Sequence, residues 1–198
     1  MGSKVSKCRC GLFAWLALVL VCGNAAADNG KTGKGEFGIK FGHLGGGTVA
    51  YQLKSGTSPK NTIKTESSYS GGAFISQSLW GGLHGAITFD FHYFRAEYEG
   101  GETALDVAGG LKYILVNKTR MVSVRPAALL GFAIMPEIWA FKSSKHMTLK
   151  LVLELAFHTQ KGTGLLLEIG SLRTLSGSDG VYNIKARSMM LLRGGLML

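Results

Sequence analysis

Beyond Asp28 the sequence contains no run of about twenty apolar residues, which excludes a helix that spans a membrane in this part of the chain. Apolar and polar residues instead alternate in successive blocks. In the clearest block, 147–158, Leu149, Leu151 and Leu153 share one face of a strand, and Lys150 and Glu154 share the other. A period of two is the pattern of a strand with two unlike faces. Its repetition in segments of about ten residues, separated by turn residues, is typical of a transmembrane β-barrel.

Eight such blocks follow one another, and each is bounded by residues that favour turns. The sequence therefore predicts an all-β fold, an eight-stranded antiparallel transmembrane β-barrel with short periplasmic turns. The first block could continue through 49–53. The predicted strands are Glu36–Leu44, Gly72–Trp80, Ala86–Tyr98, Thr103–Leu115, Met121–Ile134, Met147–His158, Gly164–Leu175 and Val181–Leu198.

The connections between the blocks predict how the barrel is oriented. The first and fifth connections, 54–71 and 135–146, are long, whereas the even-numbered connections are short. In outer-membrane barrels the long loops are extracellular and the short turns are periplasmic. An even number of strands places both chain ends in the periplasm, and 54–71 and 135–146 outside the cell.

The first 27 residues have the layout of a secretory signal peptide. Lys4, Lys7 and Arg9 precede an apolar run, 11–23, and three alanines at 25–27 supply a cleavage site. We expect residues 1–27 to be removed and residues 28–198 to form the barrel domain. A retained anchor is an alternative, although the run is short for one. Lipoprotein processing at Cys22 is another.

The composition of the exported part limits its partners. The three cysteines all lie in the leader, so the mature chain has no disulfide and no thiolate ligand for a metal. Removal of three basic leader residues lowers the formal net charge from +10 to +7. Because an exported chain does not meet nucleic acid, we expect its anionic partners to be outer-membrane lipid and lipopolysaccharide. We also expect contact with the barrel-insertion machinery and a monomeric protein in the outer membrane of a Gram-negative cell.

A soluble periplasmic β-sandwich or lipocalin-like barrel is the competing fold. It would turn its apolar face inward and its charges outward. The many Leu, Met and Val residues of the later blocks favour the membrane interpretation. Pro126 lacks a ladder donor and is predicted at a rim or a bulge.

Three segments resemble strand pairs of the OmpW/OmpA-like superfamily of small outer-membrane barrels: Ala108–Leu115 (AGGLKYIL), Val124–Ala133 (VRPAALLGFA) and Leu153–Gly170 (LELAFHTQKGTGLLLEIG). The resemblance is one of pattern over most of the mature chain, and it implies an eight-stranded barrel with a narrow interior. The chain departs from the family pattern at its end, where Leu198 replaces the usual terminal aromatic residue.

If the leucine face of 147–158 meets lipid, the opposite faces of the strands point into the barrel. An interior of eight strands is just wide enough to be filled by side chains, so buried charges there must pair. We expect either a network of ion pairs that plugs the lumen or a polar path lined by the same groups. The interior candidates are Asp90, His92, Lys112, Arg125, Lys150, Glu154, His158, Glu168, Arg187 and Arg193.

These patterns favour a non-enzymatic barrel that is structural, or that passes or binds small solutes or apolar ligands. The first alternative is a surface adhesion protein acting through 54–71 and 135–146. The second is a lipid A deacylase-like enzyme centred on His158 and Glu168, in which Gln160 occupies the position of the serine nucleophile. The sequence predicts no catalytic, cofactor-binding or metal-binding residue.

Overall fold

The computed structural model describes residues 35–56, 60–95, 101–116, 121–135, 143–159, 163–186 and 188–198. The predicted signal peptide, 1–27, lies outside the described residues. None of the described residues forms a helix with the length and apolarity needed to cross a membrane. The strands are β1 (Gly35–Leu44), β2 (Gly47–Leu53), β3 (Asn61–Thr65), β4 (Ser68–Trp80), β5 (Leu83–Arg95), β6 (Gly101–Tyr113), β7 (Leu115–Val116), β8 (Val122–Met135), β9 (Ser144–His158), β10 (Gly164–Ser178), β11 (Tyr182–Ala186) and β12 (Met189–Met197).

Eight of the described strands close into a ring, so the predicted antiparallel barrel is confirmed. Each strand of the order β1, β4, β5, β6, β8, β9, β10 and β12 pairs with the next, and all of these pairs are antiparallel. The ring closes where β1 pairs with β12, from Gly38 opposite Met197 to Leu44 opposite Leu191. Closure satisfies the backbone donors and acceptors at both edges of the sheet, as a membrane barrel requires.

The barrel has two unlike ends. At the terminal end, where Gly35 and Leu198 lie, β4 and β5 are joined by a tight turn that includes Gly81, at a φ of 56°. At the opposite end, the hairpin end, the wall continues beyond the ring as two hairpins. There β10 pairs with β11, β11 with β2, and β2 with β3.

The connection predicted over 54–71 is wrong in part, because it contains β3 and the first residues of β4. Asn61–Thr65 pairs with β2, and its Ile63 packs against the apolar cluster of the interior. A strand that projects beyond the bilayer needs no apolar outer face. The alternation of apolar and polar residues in β3 is therefore weak. The predicted connection 135–146 is also shortened, because β9 begins at Ser144.

The outer surface of the barrel carries a continuous apolar belt. On β9 the residues from Met147 to Phe157 alternate outward, and Leu151 remains 50% exposed. At about 3.4 Å per residue and a strand tilt of about 40°, this stretch covers about 25 Å along the barrel axis, the usual height of the apolar band. Comparable outward residues on other strands of the ring are Ile39, Phe41, Ile87, Leu105, Leu111, Leu130, Phe132, Leu165, Leu167 and Leu192. The apolar-out arrangement shows that the barrel is of the transmembrane type.

Pro126 lies within β8 and points outward, opposite Leu153 of β9. On its other side the ladder stops at Ala127 opposite Lys112 and resumes at Val124 opposite Leu115, in the same register. The prediction of a bulge or rim position is therefore wrong. The missing N–H of the proline is accommodated by a short gap in the ladder, without an inserted residue.

Candidate functional site

The interior of the barrel is formed by the inward residues of every strand in the ring. Because side chains alternate along a strand, the same periodicity that presents leucines outside presents polar groups inside. Lys150 and Glu154 of β9, for example, are no more than 1% exposed although their outward neighbour Leu151 is 50% exposed. A charge buried in this way is stable only when an opposite charge compensates for its lost hydration.

Eight charged side chains and His92 form one continuous chain, which we call the interior charge chain. Its members come from six strands of the ring, β1, β5, β6, β9, β10 and β12, and each charge contacts one of opposite sign. In order, the contacts are Lys112–Glu154 (2.6 Å), Glu154–Lys40 (3.4 Å), Lys40–Glu168 (2.5 Å), Glu168–Arg193 (2.6 Å), Arg193–Asp90 (2.7 Å), Asp90–Lys150 (2.5 Å), Lys150–Asp106 (3.1 Å) and Asp106–His92 (3.7 Å).

The interior charge chain is electrically balanced when His92 is neutral, since three lysines and one arginine face two aspartates and two glutamates. Polar side chains complete it: Thr88 accepts from Lys150 at 3.3 Å, and Thr148 donates to Asp106 at 3.2 Å. Ser70 lies 2.9 Å from Nδ1 of His92. The chain is balanced in charge and hydrogen-bonded at several of its members, and it links strands that are not neighbours in the sheet.

A second group, the terminal-end cluster, is formed by Glu36, Ser123, Arg125 and His158. Arg125 donates from Nη1 and Nη2 to the two carboxylate oxygens of Glu36, both at 2.9 Å. Its Nε donates to Ser123 Oγ at 2.8 Å. Two parallel hydrogen bonds are the strongest geometry available to an arginine and a carboxylate, so this pair ties β8 to β1.

His158 has a serine within reach, but not one that sequence analysis considered. Its Nε2 lies 3.0 Å from Ser123 Oγ and 2.9 Å from Arg125 Nη2. Because a guanidinium can only donate, Nε2 must accept from Arg125 and its lone pair is engaged. A general base needs that lone pair for the nucleophile. Glu168, the predicted third member, contacts Lys40 and Arg193 instead, and Gln160 lies outside the described residues.

Apolar side chains close the interior toward the hairpin end. Leu44, Phe94, Ile184, Met189 and Leu191 are at most 5% exposed and belong to one packed cluster. Tyr51, Ile63, Met135 and Tyr182 pack against it. From the terminal end upward, the described interior is therefore filled by an arginine–glutamate pair, then by the interior charge chain, and then by an apolar layer.

The structure places nine of the ten predicted interior residues inside the barrel. Seven belong to the interior charge chain, Arg125 and His158 belong to the terminal-end cluster, and Arg187 lies outside the described residues. Lys40, Asp106 and Glu36 also lie inside the barrel, although the sequence had not predicted them there. The signal for Lys40 was present, because its neighbours Ile39 and Phe41 are apolar and outward, and Asp106 lies between Leu105 and Val107 in the same way.

Neither a protein-family profile nor a curated protein sequence matches this chain. Among solved structures, it is similar to the crystal structure of Neisserial surface protein A, with 10% sequence identity, 82% of this chain and 96% of that chain covered, and a TM-score of 0.47. It is also similar to Ail, the attachment invasion locus protein of Yersinia pestis, with 13% identity, 83% and 99% covered, and a TM-score of 0.40. Both similarities are weak, so the assignment to the small eight-stranded barrels rests on the closed ring of pairings.

Proposed function

We propose that this protein is a non-enzymatic barrel of the bacterial outer membrane whose lumen is closed by its own side chains, and which serves as a membrane-embedded scaffold. The observation that carries the proposal is the balanced interior charge chain beneath the apolar layer. A water-filled pore would leave such charges solvated, and they would have no need to neutralise one another at contact distance. The terminal end then faces the periplasm, and the hairpin end faces the outside of the cell.

Conductance of the refolded protein in a planar bilayer tests the closed lumen. We expect no stable open level in 1 M KCl, because no continuous water-filled route passes the interior charge chain. A porin refolded in the same lipid is the positive control. Long-lived openings of uniform size would contradict the proposal and would favour a small-solute passage.

A second candidate function is surface interaction through the hairpin end. It is favoured by the sheet that β2, β3 and β11 form beyond the apolar belt. Three lysines are exposed there, Lys54, Lys60 and Lys64. An ordered projection of this kind presents a fixed surface to another cell or molecule.

Replacing residues 54–58 by an Asn-Gly turn shortens this projection and keeps the register in which Tyr51 pairs with Asn61. If the hairpin end binds a surface, attachment of cells that display the variant is expected to fall about tenfold, a loss of about 1.4 kcal/mol. The control is the same replacement of residues 117–120, between β7 and β8, at the opposite end of the barrel. Equal attachment by the two variants would exclude a role of this hairpin.

A further inference from the structure

Three exposed cations lie on the outside of the wall at the border of the apolar belt, namely Lys145 of β9, Arg173 of β10 and Lys185 of β11. Their inward neighbours, Ser144, Leu172 and Ile184, are buried, which fixes the outward direction of all three side chains. Within the described residues, none of the three pairs with a carboxylate. We call them the exterior cation cluster.

The acidic residues of this region are engaged in other contacts. Between 143 and 186 the sequence has three acidic residues. Glu154 and Glu168 point inward into the interior charge chain. Asp179 lies in the turn between β10 and β11, where its Oδ1 accepts the backbone N–H groups of 181 and 182. The outer surface here is therefore locally cationic.

The strand register places the three cations around one patch. Arg173 pairs with Leu149, and Ser176 pairs with Met147, so Arg173 stands at the level of the outer leucines of β9. Lys185 lies two residues beyond Asn183, which faces Ser178 of β10. From strand spacings of about 4.8 Å and rises of about 3.4 Å, the three Cα atoms are separated by about 11–14 Å. Long flexible side chains at this spacing can converge on one anionic ligand.

An apolar groove of about 760 Å³ runs along the outer wall below the cluster. Its walls include Leu151, Ser171 and Met190, which are laterally paired across β9, β10 and β12. Ser171 is two residues from Arg173 on the same face of β10. From Ser171 the groove continues around the wall past Leu153 and Pro126 to Leu111, and its boundary at Ser171 lies one outward position from Arg173.

We propose that the exterior cation cluster and this groove bind one phosphorylated glycolipid of the outer leaflet, with at least two phosphates on the cations and an acyl chain in the groove. The inference rests on the proposed orientation in the outer membrane. A glycolipid with two phosphates offers more negative charge to three cations than a diacyl phospholipid, which has a single phosphate. Arg173 lies at the edge of the belt, where its guanidinium can pair with a lipid phosphate. Its aliphatic stem would lie along the apolar surface of the wall.

The test uses the refolded full barrel in phosphatidylcholine nanodiscs titrated with bisphosphorylated lipid A, and retained lipid is counted by native mass spectrometry. The double variant Arg173→Gln, Lys185→Gln is compared with Lys118→Gln, Arg120→Gln, which removes the same charge between β7 and β8, at the opposite end of the barrel. With each cation worth about 1 kcal/mol at low salt, the first variant is expected to need about 30-fold more lipid A for half-saturation. The control is expected to match the wild type, and high salt to weaken binding.

Equal losses in the two variants would overturn the site, because they would reveal a general effect of charge. Equal retention of dephosphorylated lipid A would overturn the role of the phosphates, and equal retention of phosphatidylglycerol would overturn the choice of a glycolipid. The single variant Lys145→Gln, which is expected to need about fivefold more lipid A, replaces the double variant if the latter does not refold. Failure of the wild-type protein to enter the nanodisc would count against the proposed function itself.

Discussion

Replacing Asp90 by asparagine is expected to destabilise the barrel by about 3–5 kcal/mol, the cost of leaving a buried charge without its partner. Asp90 is 3% exposed and lies between two cations, with Arg193 at 2.7 Å and Lys150 at 2.5 Å. Asparagine has nearly the same shape as aspartate, so the packing of the interior is preserved. The loss of stability therefore measures the effect of removing the negative charge. The measurement is urea unfolding of the refolded protein in vesicles, followed by the heat-modifiable shift on a gel.

Two further variants make this result specific. Glu66→Gln removes an ion pair of similar kind, 3.3 Å from Arg95, but both partners are well exposed, so a change below about 1 kcal/mol is expected. Adding Lys150→Met to Asp90→Asn restores the charge balance, and we expect it to recover much of the lost stability. If the double variant is no more stable than Asp90→Asn alone, charge balance is not what stabilises the interior.

Replacing Leu153 by arginine is expected to reduce the free energy of insertion by about 2–4 kcal/mol, because this position lies near the middle of the apolar belt. Leu153 points outward and is 45% exposed. The matched control is Met147→Arg, on the same face of the same strand but at the border of the belt, where the cost is about 0–1 kcal/mol. The measurement is the folded fraction in short-chain phosphatidylcholine vesicles across a urea series.

The comparison of the two arginine variants distinguishes lipid from other surroundings. A depth-dependent loss is the signature of a hydrocarbon layer around the barrel. Equal losses at 147 and 153 would indicate a protein surface packed against both positions, and no loss at either would indicate a soluble barrel. The second result would contradict the membrane interpretation of the apolar belt.

The ring of strands could be predicted from the sequence because its signal is local. Alternation requires only neighbouring residues, and Leu149 to Phe157 shows it without any knowledge of the partner strands. The same rule placed Lys150, Glu154 and Glu168 on the inner face. Applied equally to the first and fourth blocks, it would also have found Lys40 and Asp106.

The pairing inside the barrel could not be predicted in this way. Lys40 meets Glu154 and Glu168, which are more than a hundred residues away in the chain. Which charges meet depends on the tilt and stagger of the whole ring, since these set the height of each inward residue. Strand β3 was missed for a different reason, because Asn61–Thr65 is short and polar on its outer face, whereas the sequence allows a continuation of the first block through 49–53 of β2.

The order of contacts in the interior charge chain also has a consequence for assembly. Among the described residues, the carboxylates that contact Lys40 of the first strand lie on β9 and β10, and those that contact Arg193 of the last strand lie on β5 and β10. A sheet that is still open at the β1–β12 seam would therefore leave Lys40 without either carboxylate and Arg193 without Asp90, although Arg193 would keep Glu168 on the adjacent strand. Each missing partner raises the free energy of such an intermediate. We therefore expect the pairing of β1 with β12 and the formation of these ion pairs to occur in one concerted step. The ion pairs that fill the lumen thus also disfavour a barrel that is only partly closed.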